Sequence, residues 1–523
     1  MNPEPGTRNL IVALLIAVCA AVPMAQRQSQ APSARTTSLP AFTVLEKSIP
    51  ELQAAMQART VTSRDLVTMY LARITAYDQD GPKLNAMIVL NPKALDEAAA
   101  LDVERRSGRV RGPLHGIPIV VKDNYITEDM PTTAGSKALE GFLSGRDAFM
   151  VKKLRDAGAV IVGKTNLHEL AYGITSISSM GGQTLNPYDP TRNPGGSSGG
   201  TGAAIAANFA AAGMGSDTCG SIRNPSSENN LVGLRGTLGL SSRNGIVPLS
   251  HTQDIGGPLA RTVTDLAIML DVTVGADPDD PVSRAGTGHI PPSYRALLTT
   301  SARETMKGAR IGILTTYFGN APEDAEVGDV ARHALDLMRQ QGAETVDAVV
   351  PNFDALLQGT STINGEFKFD LLDFLAPYPN APVHSLGEVI ASGKYSPAID
   401  GVIKRANTVE SRESDQEKAA LAKRGPAKDA IIAFMKSQKL DALAYPTLRR
   451  KPAKIGEAQG GSNCQLSAST GLPAISMQAG FTPDGLPVGL ELLGDEFSES
   501  TLLKLAYSFE QATHIRRLPP TTP

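Results

Sequence analysis

The sequence predicts an α/β protein whose β-sheet is covered by helices on both faces. Three observations carry that expectation. Apolar runs of strand length recur along the chain, helical patterns alternate with them, and the 49 glycines and 36 prolines are dispersed as turns rather than gathered in one tract. At 523 residues the chain is long enough for a large buried core, and no internal repeat divides it.

In chain order, Thr62 and Asp65 open LVTMYLARITAY with capping-box spacing, and Leu66, Tyr70 and Ile74 recur on one helical stripe. IPIVVKDN (117–124) reads as a buried strand running into a polar end. AFMVKKLRDA predicts a helix leading into a second strand, GAVIVGK (158–164). Ala203 to Ala212 predicts a helix of very small side chains. ARIGIL (309–314), LDALAYPT (440–447), AISMQAG (474–480) and LPVGLELLG (486–494) add strands. Residues 351–430 are more charged and helical, as expected of an insertion on the core.

Composition excludes several function classes. Charged residues are 20% of the chain and the net charge is −3, with both signs interleaved. Neither nucleic acid nor an anionic membrane is expected as a partner. At the N-terminus, Arg8 precedes a 13-residue apolar run, Leu10 to Val22, followed by small residues. That is the pattern of a secretory signal peptide, and it is shorter than the ~20 residues of a comfortable membrane span. We therefore expect a signal peptide over 1–25, cleaved after Ala21 or Ala25, a disordered lead-in over 26–41, one folded domain over 42–518, and a secreted or periplasmic protein with no stable membrane insertion. An uncleaved anchor is the alternative. A lipoprotein attachment at Cys19 is disfavoured because Val18 stands where a small residue is wanted. Cleavage leaves Cys219 and Cys464, too few for a disulfide framework, and spacing does not say whether they meet. The seven histidines are scattered, so metal is not expected.

Two motif matches fail on physical grounds. GAVIVGKT (158–165) fits the phosphate-loop expression, but its central residues are strand formers where a loop of converging N–H groups is required. GSSGG (196–200) fits the nucleophile-elbow pattern with Ser198 as nucleophile, yet turn formers rather than a strand precede it. A Ser-His-Asp esterase using Ser198 is kept as an alternative, with His251, His289, His333, His384 or His514 as base.

A third arrangement uses lysine as the base. Lys122 ends an apolar strand that should carry it to the rim of the core, where burial disfavours the ammonium. Being half neutral near pH 7.5 requires a shift of about 3 units, roughly 4 kcal/mol. A neutral lysine can take a proton from a serine hydroxyl.

The stretch from Gly195 to Pro225, GGSSGGTGAAIAANFAAAGMGSDTCGSIRNP, resembles the signature of the amidase signature family. HGIPIVVKDN, AGAVIVGKTNLHEL, GLRGTLGLSSRNGIVPLS and GLPAISMQAGFTPDGLPVGLELLG extend the likeness to roughly residues 45–515. The resemblance implies a large twisted mixed sheet and a serine amidohydrolase acting on a small-molecule or peptide carboxamide without metal or cofactor. It implies Lys122 as base, Ser197 as bridging serine after a cis Gly196–Ser197 bond, and Ser221 as the nucleophile that forms an acyl-enzyme. The intervals of 75 and 24 residues between these three are those of the family. The oxyanion hole falls on the amides of Thr218, Cys219, Gly220 and Ser221. Asp123, Gly196, Ser198, Asp217 and Arg223 are supporting positions, Arg223 as an ion-pair or hydrogen-bond partner. A catalytically silent binding protein is the alternative from another class. Cys219 stands where the family usually has glycine. A small buried filler is the preferred reading there, with a wall of the acyl pocket or a bridge to Cys464 as the others.

Overall fold

The computed structural model describes residues 42–523, which form one compact unit. The expected signal peptide, lead-in and Cys19 lie outside the described residues. In chain order the strands are β1 (Met87–Leu90), β2 (Pro118–Lys122), β3 (Val160–Thr165), β4 (Ile177–Ser178), β5 (Gly182–Gln183), β6 (Ala212–Asp217), β7 (Val232–Arg235), β8 (Ile255–Ala260), β9 (Arg310–Ile313), β10 (Glu344–Asp347), β11 (Ala442–Pro446), β12 (Ala474–Phe481) and β13 (Pro487–Leu493). Eleven of them form one mixed sheet in the order β1-β3-β2-β6-β8-β7-β12-β13-β11-β9-β10, and β4 and β5 pair separately. Helices cover both faces, as the sequence predicts. No helix among the described residues is long and apolar enough to cross a membrane.

The parallel trio β3-β2-β6 positions the chemistry. Every residue of these strands is buried, so they read as continuous apolar runs rather than alternating ones. In register, Lys122 lies opposite Thr165, and Val121 opposite Met214, which brings the ends of β2 and β6 to one rim. Such carboxyl ends are where open α/β sheets place ligands.

The helix Ser63–Ile74 starts at the Thr62–Asp65 capping box, and Phe149–Asp156 precedes β3. One expectation is corrected. The small-residue helix spans Gly199–Ala206, and Ala212 already begins β6. Asn208 adopts φ +58°, a left-handed conformation that ends the helix and turns the chain back. Alanine and glycine gave no periodicity from which that reversal could be read. The expected catalytic domain also runs past residue 518: Arg73 Nη2 donates to the Thr522 carbonyl (2.7 Å) and Thr521 to that of Pro187 (2.6 Å).

The charged region folds as helices Phe353–Leu357, Ile363–Leu375, Leu386–Ser392, Asp400–Asn407 and Asp415–Ser437. It docks on the core by apolar packing, with Phe367, Leu371 and Leu375 in the main buried cluster, and by polar contacts. Glu366 accepts from Ser250 Oγ (2.5 Å) and the Thr252 amide (3.0 Å), and Asp370 accepts from the His251 amide (2.8 Å).

Candidate active site

Lys122 closes β2 with a completely buried side chain. Its Nζ donates to Ser197 Oγ at 2.7 Å and to Ser216 Oγ at 2.9 Å. No carboxylate pairs with it among the described residues. Burial therefore dominates and holds its pKa down to about 7, against the more distant pull of Asp254 and Asp217. Asn124 Nδ2 donates to the same Ser216 oxygen at 2.9 Å.

Ser197 follows a cis Gly196–Ser197 peptide bond. Its loop is held from both sides: the His168 amide donates to the Ser197 carbonyl (2.9 Å), and Ser176 Oγ donates to the Gly195 carbonyl (2.7 Å) and accepts from the Gly199 amide (2.9 Å). The glycines here serve close approach as much as conformational freedom. Gly195 has φ +76°, whereas a Cβ on Gly196 would come within 2.7 Å of the Ile174 backbone. Ser198 is not an elbow nucleophile. No strand leads directly into it, its Oγ donates to the Ser216 carbonyl (3.2 Å) and accepts from the Ser216 amide (3.3 Å), and it starts the helix Gly199–Ala206. The nearby His168 is held neutral, its pKa lowered to about 4 by burial and by Lys122.

Ser221 lies just past β6, 4% exposed, and its carbonyl accepts from the Ser198 amide at 3.2 Å, joining the two serine segments. Its hydroxyl donates to no other group among the described residues. Asp217, at the end of β6, organises the turn before it. Its carboxylate accepts from the amides of Gly220 (2.7 Å) and Ile222 (3.1 Å) and from Arg223 Nε and Arg235 Nη1 (both 3.1 Å). Burial pushes the Asp217 pKa up, but the charges of Arg223 and Arg235 hold it well below the usual carboxylate range. Arg223 also contacts Glu491 (2.5 Å), to which Tyr445 donates at 2.8 Å. Arg223 is thus an ion-pair partner, as expected.

The expected oxyanion hole needs one correction. The Gly220 amide is already spent on Asp217, which leaves the amides of Thr218, Cys219 and Ser221 without a protein acceptor among the described residues. Thr218 is fixed through Oγ1 to Asp254 at 2.5 Å. Cys219 is not a free filler: it forms a disulfide with Cys464, 245 residues away. Asp123 faces away from the serines. It pairs with Lys164 at 2.9 Å and accepts from the amides of Thr133 (3.1 Å) and Gly135 (3.3 Å). GAVIVGKT is strand β3, so its converging N–H loop does not exist.

Sequence reading missed Ser216, Asp254, Arg235 and Glu491. Only Ser216 carried a local signal, a polar residue inside a glycine-rich apolar strand. The others reach the site through tertiary pairing alone.

The family model described as Amidase matches residues 65–503. A probable amidase of Arabidopsis thaliana is 35% identical over 500 residues, spanning 91% of this chain and 92% of the relative. The A subunit of the glutamyl-tRNA(Gln) amidotransferase of Halorhodospira halophila is 34% identical, spanning 90% and 97%. Among solved structures, the native peptide amidase of Stenotrophomonas maltophilia superposes with a TM-score of 0.85 at 38% identity, covering 92% of this chain and 99% of that one. An amidase family protein of Bacillus anthracis gives 0.81 at 32% identity, covering 91% and 92%. The chain belongs to the amidase signature family, whose members are hydrolases of carbon–nitrogen bonds.

Proposed function

We propose that this amidase works through an acyl-enzyme on Ser221, with Ser197 relaying protons to neutral Lys122. The observation that carries the reading is Lys122 itself: fully buried, without a carboxylate, and 2.7 Å from Ser197 Oγ. As the Ser221 hydroxyl turns towards Ser197, its proton passes to Ser197 Oγ while the Ser197 proton passes to Lys122 Nζ. Ser221 Oγ attacks the carboxamide carbon, and the oxyanion is met by the amides of Thr218, Cys219 and Ser221. Returning the proton through the same pair expels the amine or ammonia, and water then hydrolyses the ester.

A small-molecule or peptide substrate with a terminal carboxamide is supported by the likeness to a peptide amidase. The Cys219–Cys464 bridge supports an exported enzyme, because disulfides persist in oxidising compartments. The same bridge weighs against a role in a tRNA amidotransferase, which would work among cytosolic reductants.

The test is intact-protein mass after fluorophosphonate treatment. We expect one adduct on wild type, none on Ser221→Ala and much slower labelling of Lys122→Ala. No adduct on folded wild type would overturn the reading, and labelling retained in Ser221→Ala would move the nucleophile elsewhere.

A further inference from the structure

We infer that the Cys219–Cys464 bridge is a positioning element of the oxyanion loop, holding the Cys219 amide in register beside Ser221. This rests on the function proposed above.

Each neighbour of Cys219 is held non-covalently from several directions. Asp217 sits in its two-arginine clasp. Thr218 is fixed by Asp254 through its hydroxyl and by Gln253 Nε2 on its carbonyl (3.2 Å). Gly220 donates to Asp217 and accepts from the Asn224 amide (2.7 Å). The backbone N–H and carbonyl of Cys219 have no partner among the described residues, so the covalent bond is its only firm tether. Gly220 also records how close the bridge runs: a Cβ there would stand 2.9 Å from that of Cys464.

The other end of the tether is anchored in the first half of the site. Cys464 closes the segment 447–464, within which the Ala453 carbonyl accepts from the Asn193 amide (3.0 Å) and the Ile455 amide donates to the Thr191 carbonyl (3.0 Å). Asn193 Nδ2 donates to Gln459 Oε1 (3.1 Å), and Asn224 Nδ2 to Ser462 Oγ (3.3 Å). Cys219 is thereby cross-linked, through one loop, to the residues that lead into Ser197. Opening the bridge frees one oxyanion donor and loosens the spacing between the two serine segments.

The experiment compares fluorophosphonate inactivation of the full chain with the bridge closed and open, separating the maximal rate kinact from the half-saturating concentration KI. The bridge is opened by Cys464→Ser, and independently by dithiothreitol, which gives two electrons and two protons to the disulfide and leaves as its own cyclic disulfide. We expect kinact to fall at least tenfold with KI changed less than threefold, and re-oxidation to restore the rate. Leu266→Ala, a core change on the helix Val263–Thr273, serves as a control of lowered stability and should keep kinact within twofold. The inference is overturned if the open forms keep kinact within twofold, if Leu266→Ala loses as much, or if both open forms lose near-UV circular dichroism, which would make the bridge a global staple. Absence of labelling on the oxidised wild type is a separate result that removes the proposed function and this inference with it.

Discussion

Strands β2 and β3 lie side by side, and each carries a completely buried lysine at its carboxyl end, Lys122 and Lys164. Burial lowers the pKa of both. Lys164 has a carboxylate at 2.9 Å, Asp123, together with the Pro131 carbonyl at 2.8 Å. Lys122 has two serine hydroxyls and no carboxylate. A paired ammonium is a structural tie, whereas an ammonium facing only hydroxyls gives up its proton near neutrality. Residue type and burial are the same at both strand ends, so the partner decides between structure and chemistry.

The largest test of that difference exchanges each lysine for methionine. Lys122→Met should lose about 10²–10⁴ in kcat/KM, the usual contribution of a positioned base, with no loss of thermal stability. Lys164→Met should instead strand the Asp123 carboxylate and cost roughly 3–5 kcal/mol in denaturant unfolding, as removing one member of a buried ion pair does. If Lys164→Met were the more damaging to chemistry at matched stability, the assignment of the two lysines would be reversed.

A pH profile sharpens the contrast further. Only neutral Lys122 can act as base, so kcat/KM should fall as pH drops below about 7, tenfold per unit, and level off above it. The same shift sets a stability trend. The folded-state pKa lies below the unfolded one, so the unfolded chain binds more protons between about 7 and 10.5, and stability rises with pH through that window. Lys122→Met should flatten that rise in urea titrations.

The smallest effect concerns Ser216. Its oxygen accepts from both Lys122 and Asn124, and hydrogen bonding to the ammonium favours the charged form. Ser216→Ala should move the acid limb of the rate profile to lower pH and cost about 1 kcal/mol of stability. An unmoved limb would show that Ser216 does not tune the base.

Much of this site was legible because its key residues sit next to strong patterns. IPIVV before Lys122 announced a buried strand, and the glycine-flanked serines stood out against their surroundings. The reversal at Asn208 was not legible, because a helix of alanines and a strand of glycines differ little in composition when both are fully buried. The bridge was not legible either: nothing in local sequence brings together two residues 245 positions apart. The same holds for Arg235, Asp254 and Glu491, whose roles arise from which strands happen to be neighbours. The phosphate-loop match shows the opposite case, a pattern legible but empty, because its letters were strand material.

The helix Gly199–Ala206 and the return along β6 separate the two serines by 24 residues. They act as a ruler cut to length. Adding one residue within β6 would turn each later side chain to the opposite face and swing the Asp217 carboxylate off its arginines. For anyone building libraries from this scaffold, the span from Ser197 to Ser221 therefore admits changes of letter but not of length. Insertions and deletions belong outside that span at exposed turns such as the one at Gly393, and not within the helices beyond residue 351, whose Phe367, Leu371 and Ile403 are buried in the core.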